Sequence, residues 1–185
     1  MKKILTLMLA AGLLAACGND EPKDETAGST PAKETSEQKP EPENKTDNGI
    51  YFKDGVAKIE DVKIEITDTK VIPTGEKGNE YGDKPVFAIW YKATNFTEKE
   101  IDPGTAWIAI FTAIQDNDPN MVNKLEVGML PDETHLDTQM NTIKKDGTVE
   151  NSIAYELDDL ETPVTLVATQ GIAGDKIGEQ TFEIK

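Results

Sequence analysis

The chain contains no arginine: all 19 basic residues are lysines, set against 35 aspartates and glutamates, for a formal net charge of −16 at pH 7. Without guanidinium groups, bidentate capture of carboxylates or phosphates is unavailable. An acidic chain without basic clusters is also unsuited to nucleic acid, whose phosphates are neutralised by clustered Lys or Arg. The same acidity opposes direct docking of the body of the chain on anionic lipid. Cysteine occurs once, at Cys17, so no disulfide can form within the chain. Histidine also occurs once, at His135, which leaves a zinc site short of the three or four nitrogen or sulfur ligands it takes. The longest apolar run, residues 4–14, is far shorter than the roughly 20 residues needed to span a bilayer.

What the start of the chain does have is a three-part export pattern. Lys2 and Lys3 form a charged head, residues 4–14 an apolar middle, and Ala15 and Ala16 a small-residue end immediately before Cys17. The run Leu13-Leu14-Ala15-Ala16-Cys17 resembles the lipobox of bacterial lipoproteins. That resemblance implies cleavage before Cys17, a diacylglycerol thioether on its sulfur, and anchorage to the outer face of the cell membrane. Two acyl chains hold stably where one holds only marginally, because each buried methylene contributes roughly 0.8 kcal/mol. A sulfur so modified is neither a nucleophile nor a metal ligand.

Three regions follow. Residues 1–16 are the expected signal peptide. Residues 17–49 hold the lipidated cysteine and a linker rich in Glu, Lys, Thr, Pro, Asp and Asn, with Pro22, Pro31, Pro40 and Pro42 stiffening it locally. A segment with almost no large apolar side chain cannot bury enough surface to offset its ordering entropy, so this stretch is expected to be a disordered tether. Residues 50–185 have the composition of one ordinary domain, long enough to bury a core.

Within that domain the apolar period is two. Val62, Ile64 and Ile66 alternate with Lys63 and Glu65, as in a half-buried antiparallel strand, and Ile59 falls out of phase, which suggests a bulge near Glu60 or Asp61. The stretch from Val86 to Tyr91 is apolar on both faces and reads as a central strand ending near Asn95. Residues 106–114, led by Trp107 and Phe111, read as a second continuous apolar strand closed by the Asp116-Asn117-Asp118-Pro119-Asn120 loop. Further strands are expected over residues 149–157, 164–168 and 180–184. Residues 121–143 fit no single element: Leu125, Val127, Met129 and Leu130 suggest an edge, and residues 131–140 a helical turn or irregular loop. About seven strands with turn signals between them predict an all-β antiparallel sandwich.

Two stretches, "PVFAIWYKATNFTEKEIDP" and "KKDGTVENSIAYEL", with a tryptophan-bearing segment between them, resemble the Ig-like domains of small Gram-positive surface lipoproteins of largely unknown function. The sandwich of that group is similar to that of a mycobacterial immunoprotective secreted antigen. The resemblance covers residues 52–184 and implies an immunoglobulin-like fold; it transfers no catalytic residue, and fold alone supplies no function.

Candidate sites are few. Three serines occur, Ser29 and Ser36 in the linker and Ser152 in an expected strand. A Ser152–His135–Asp137 triad can be written, but the strained turn that exposes a nucleophile is missing; the plain alternative for His135 is a solvent-facing loop residue. Asp116, Asn117 and Asp118 are candidate calcium ligands, yet the run lacks the glycine and terminal glutamate of an EF-hand loop, and a turn capped by its own side chains accounts for it equally. Asp158, Asp159 and Glu161 form a second acidic cluster, read as a strand-connecting turn. Phe87, Trp90, Tyr91, Trp107 and Phe111 either fill the space between sheets or form an exposed platform for a partner. These observations favour a non-enzymatic, cofactor-free surface lipoprotein binding a protein or cell-wall partner. The alternatives are an accessory subunit of a membrane complex and a cell-wall hydrolase using paired carboxylates.

Overall fold

The computed structural model describes residues 49–184. Eight strands form two antiparallel sheets: β1 (Tyr51–Lys53), β2 (Val56–Lys58), β3 (Val62–Ile72), β4 (Val86–Asn95) and β6 (Thr148–Glu156) in the order β1-β2-β3-β4-β6, and β5 (Phe111–Gln115), β7 (Val164–Thr169) and β8 (Lys176–Phe182) in the order β5-β7-β8. The expected all-β sandwich is therefore present, with eight strands in place of seven. The strand nobody would read from hydropathy alone, β1, is joined to β2 through Asp54-Gly55, both with positive φ (51° and 76°), the conformation that an Asp-Gly hairpin turn selects.

Alternation along β4 assigns the two faces of the large sheet. Phe87, Ile89, Tyr91 and Ala93 point into the main core; Val86 and Ala88 point outward into a smaller buried cluster with Ile72 and Ala154, against which Trp90 packs. The sheets are closed at one side by β1 against β8, so tightly that a Cβ at Gly178 would lie 2.3 Å from the Phe52 carbonyl oxygen. At the other side the closing element is a helix.

Three expectations are corrected. Residues 106–114 are not one strand: Pro103–Ile110 is a helix, α1, and only then does the chain extend into β5. The cause is local. The Asp102 carboxylate accepts the Thr105 N–H at 2.8 Å and Pro103 occupies the first turn, a capped start whose preset φ outweighs the strand-like side chains that follow. The bulge is not at Glu60 or Asp61, where a tight turn closes through Ile59 N–H to the Val62 carbonyl; it lies further on, between Ile66 and Asp68, and β3 continues past it to Ile72. Finally, β8 begins at Lys176, four residues before the expected start.

α1 drops Trp107 into the centre of the molecule, where it is fully buried, stacked near Tyr91 and Phe111 and donating its indole N–H to the Tyr155 hydroxyl at 2.8 Å. Burial pushes the Tyr155 hydroxyl up to about 12, opposed by the Trp107 bond, and pushes Tyr91 up further still. Two buried amides tie loops to this frame. Asn95 Nδ2 donates to the Lys99 and Ile143 carbonyls, and Gln115 Nε2 donates to those of Asp159 and Thr162 while its Oε1 accepts the Asp158 N–H.

Candidate functional site

Residues 124–143, the stretch without a clear pattern, form a strap across the open side of the sandwich. It leaves the small sheet with Leu125 N–H bonded to Ala113 O, runs beside β6 with Gly128 N–H bonded to Ala154 O, and crosses the outer face of the large sheet. There a Cβ at Gly128 would sit 3.2 Å from Val86 Cγ1, so the chain passes directly over the small outer cluster. A short 3-10 turn, Glu133–His135, follows; the strap then returns to α1, where Gly104 N–H meets Gln139 O, and ends with Ile143 N–H on Ile101 O.

Two side-chain clips hold the strap down. Trp90 Nε1 donates to Asp132 Oδ2 at 3.1 Å, and His135 Nδ1 lies 2.9 Å from Ser152 Oγ. Trp90 and Ser152 are cross-strand partners on β4 and β6, so both clips fall on one spot of the sheet. Both Asp132 oxygens are engaged elsewhere than at His135: Thr134 bonds one through its N–H and hydroxyl, and Trp90 the other. Those bonds, with the nearby His135, hold the Asp132 carboxyl below the usual carboxylate range.

The structure thus brings Ser152 and His135 together, and His135 is half-buried instead of solvent-facing. Asp137 is not brought in: its carboxylate makes no hydrogen bond among the described residues, and its carbonyl accepts from Asn141 Nδ2. The carboxylate beside His135 is Asp132. At the calcium candidates, Asp118 Oδ1 accepts the Asn120 and Met121 N–H groups, and Asn117 Nδ2 donates to Asp159 Oδ2. Asp116 stands outside these bonds; among the described residues no three His, Cys, Asp or Glu are placed to hold a metal ion. Asp159 is itself a turn cap, held well below the usual carboxylate range by the Thr162 N–H, the Asn117 amide and the Glu161 N–H. Cys17 lies outside the described residues.

Of the five aromatics, Phe87, Tyr91, Trp107 and Phe111 are buried between the sheets, and Trp90 alone faces outward, half-covered by the strap. The apolar surface that is free comes from other residues. Ile108 of α1, Val127, Met129 and Met140 of the strap, and Ile172 of the β7–β8 turn are each at least half exposed, and all five line one cavity of about 310 Å³. Its floor is Asn151, Ser152, Ile153 and Ala154, four consecutive residues of β6. Because neighbouring strand residues point to opposite faces, a cavity lined by all four lies against the strand's edge and not on either face. The volume falls at the low end of the range for ligand pockets, and a mainly apolar wall with a few polar groups is their usual make-up.

Residues 34–170 match the family described as Domain of unknown function (DUF5067). The chain belongs to the DUF5067 family. The match includes every cavity-lining residue except Ile172. A solved structure described as a "putative lipoprotein" from Staphylococcus aureus is similar to this DUF5067 chain, with a TM-score of 0.60 and 21% identity, covering 72% of this chain and 91% of that one. At that identity the likeness speaks for the fold. No curated protein sequence matches.

Sequence reasoning missed the cavity because its walls come from five separated segments: β4, α1, the strap, β6 and the β7–β8 turn. It also missed α1, although Asp102-Pro103 ahead of an apolar run is a recognisable helix start.

Proposed function

We propose that this chain is a cell-surface lipoprotein, anchored through lipid on Cys17, whose DUF5067 domain is a non-enzymatic binding module using the cavity between α1, the strap and β6. The observation that carries the reading is the convergence of five exposed apolar side chains from three parts of the chain on one cavity. Isolated exposed apolar residues are ordinary on soluble proteins; a contiguous, concave group of them marks an interaction site. Methionine at two of the five positions suits such a site, because its unbranched, polarisable side chain adapts to the shape of a guest. The anchor is supported by the export pattern and lipobox of residues 1–17. The non-enzymatic reading is supported by the Ser152–His135 pair, which lacks a free carboxylate partner and clips the strap.

The test is saturable binding of the neutral fluorophore N-phenyl-1-naphthylamine to the full-length chain carrying Cys17→Ala, which keeps lipid off. A neutral dye avoids repulsion by the acidic surface. The expected result is saturable enhancement that falls at least about tenfold in affinity in Met140→Glu and Ile108→Glu, since each places a charge at an apolar contact. Absence of saturable binding, or binding that both substitutions leave unchanged, overturns the cavity as a binding site.

A further inference from the structure

We infer that the cavity takes one large apolar side chain of an extended partner polypeptide, whose backbone pairs with the free edge of β6 and whose flanking lysines or arginines meet an acidic rim. The inference rests on the binding reading above and deepens it.

The first observation is the state of the β6 edge. Ladder bonding alternates along an edge strand, so residues of one parity turn their N–H and C=O groups away from β4. Glu156 N–H bonds Glu126 O and Ala154 O accepts Gly128 N–H, which identifies the even-numbered residues as outward. Ser152 N–H, next in that row, donates to the Asn151 side-chain oxygen. The Ser152 carbonyl and both backbone groups of Glu150 have no partner among the described residues, because the strap leaves the edge after Gly128. The ladder therefore stops where the cavity begins.

The second observation is Asn151. It is 1% exposed and lines the cavity, and its Nδ2 makes no hydrogen bond. The amide lies beside the Tyr91 hydroxyl, close enough to oppose that group's upward shift, yet the Tyr91 proton goes to the Pro103 carbonyl and the Asn151 N–H groups find no acceptor of adequate geometry. A buried amide left unpaired costs about 1–3 kcal/mol, which a guest carbonyl would relieve. An unpaired acceptor (Ser152 O) and an unpaired donor (Asn151 Nδ2), on consecutive residues that both line the cavity, complement the N–H and C=O of a peptide, and a purely hydrocarbon guest would satisfy neither. Adding a strand to an exposed edge, with a pocket for one side chain, is a recurrent way of binding extended peptides.

The third observation is charge. The strap carries Glu126, Asp132, Glu133 and Asp137, and β6 carries Glu150 and Glu156. Asp132 is bonded to Thr134 and Trp90, Glu150 pairs with Lys92 at 3.2 Å, and Glu126 and Glu156 share a hollow with Lys84 and Lys124, which leaves Glu133 and Asp137 as the carboxylates without a partner among the described residues. Such a rim attracts cationic partners. The chain's own linker is not the occupant: residues 18–49 contain no Leu, Ile, Val, Met, Phe, Trp or Tyr to fill the cavity.

The experiment is selection of a displayed random dodecapeptide library on the full-length chain carrying Cys17→Ala, followed by affinity measurements with synthetic copies of the enriched peptides. The expected peptides share one large apolar residue with Lys or Arg nearby. Met140→Glu weakens them at least about tenfold, N-methylation of one backbone amide next to the apolar residue weakens them about tenfold, and salt raised from about 50 to about 500 mM weakens them several-fold. Failure to enrich any peptide while the naphthylamine dye still binds overturns this inference and leaves the binding reading standing; failure of both overturns both. Peptides indifferent to N-methylation at every position, or to Met140→Glu, also overturn it. Sedimentation showing self-association that Met140→Glu abolishes would assign the cavity to a second copy and overturn the peptide as occupant.

Discussion

His135 Nδ1 and Ser152 Oγ lie 2.9 Å apart, joining the 3-10 turn of the strap to the edge strand of the large sheet. Ser152 is 4% exposed, so this bond is shielded from water and is worth about 1 kcal/mol net. With the Trp90–Asp132 bond it anchors the middle of a segment that otherwise touches the frame mainly at its two ends. Ser152→Ala should therefore accelerate amide exchange over residues 129–140 about fivefold while lowering global stability by no more than about 1 kcal/mol. Exchange unchanged in that segment would show that the clip does not hold the strap.

Trp107 and Tyr155 form the second consequential pair. Tyr155→Phe removes the acceptor of a buried indole N–H without leaving a cavity, and should cost about 1–3 kcal/mol in denaturant unfolding. Tyrosinate absorbance supplies an independent check. With Tyr155 raised to about 12 by burial and Tyr91 raised further, two of the chain's four tyrosines should resist ionisation well above pH 10 until the fold is lost. The sign follows from linkage: a neutral phenol favoured by the fold contributes stability that is intact below its unfolded pKa of about 10 and is lost as pH rises toward 12.

Capping by Asp102 decides where the helix begins. Asp102→Ala should cost about 1 kcal/mol, and Asp102→Asn or Asp102→Ser should restore most of it, as measured by urea unfolding. Equal stability in all three would mean that Pro103 and tertiary packing alone hold α1.

At acid pH the turn carboxylates matter. Asp158, bonded to Lys84 and Asn123, and Asp159, bonded to the Thr162 and Glu161 N–H groups and Asn117, are both held below the ordinary carboxylate range. Depressed carboxylates contribute stability that is present above about pH 4 and lost as pH falls toward their folded values. Asp159→Asn should lower the melting temperature at pH 6 and flatten its decline between about pH 4 and pH 2; an acid limb parallel to that of the unsubstituted chain would exclude this turn as the source.

For the anchor, Cys17→Ala should abolish incorporation of an alkyne-labelled fatty acid and move the protein from the detergent phase to the aqueous phase on Triton X-114 partition. Incorporation that survives the substitution would remove the lipidation proposal.

Much of the fold was legible because it depends on short-range alternation. β4, β6 and β7 follow directly from apolar runs at Val86, Val149 and Val164, and the Asp118 and Asp159 turns from side chains that cap their own backbone. Where local signals conflicted, the hydrophobic pattern was the wrong guide. Trp107, Ile110 and Phe111 are buried equally well by a helix or a strand, and the start signal at Asp102-Pro103 decided between them. Residues 124–143 were opaque for another reason: the backbone partners that tie the strap to the frame, such as Ala113, Ala154, Gly104 and Ile101, lie 12 to 42 residues away along the chain.

The amino-acid sequence by itself determined the absence of arginine and of disulfides, the export pattern before Cys17, and the two-residue rhythm that commits the domain to sheets, since each depends on residue type and near-neighbour order. Only the tertiary structure decided that Ile108, Met129, Met140 and Ile172 surround one hollow at the end of an unfinished ladder, that Phe87, Tyr91, Trp107 and Phe111 are core while Trp90 faces outward, and that His135 meets Ser152. Those relations join residues far apart in the chain, and packing alone sets which of them become neighbours.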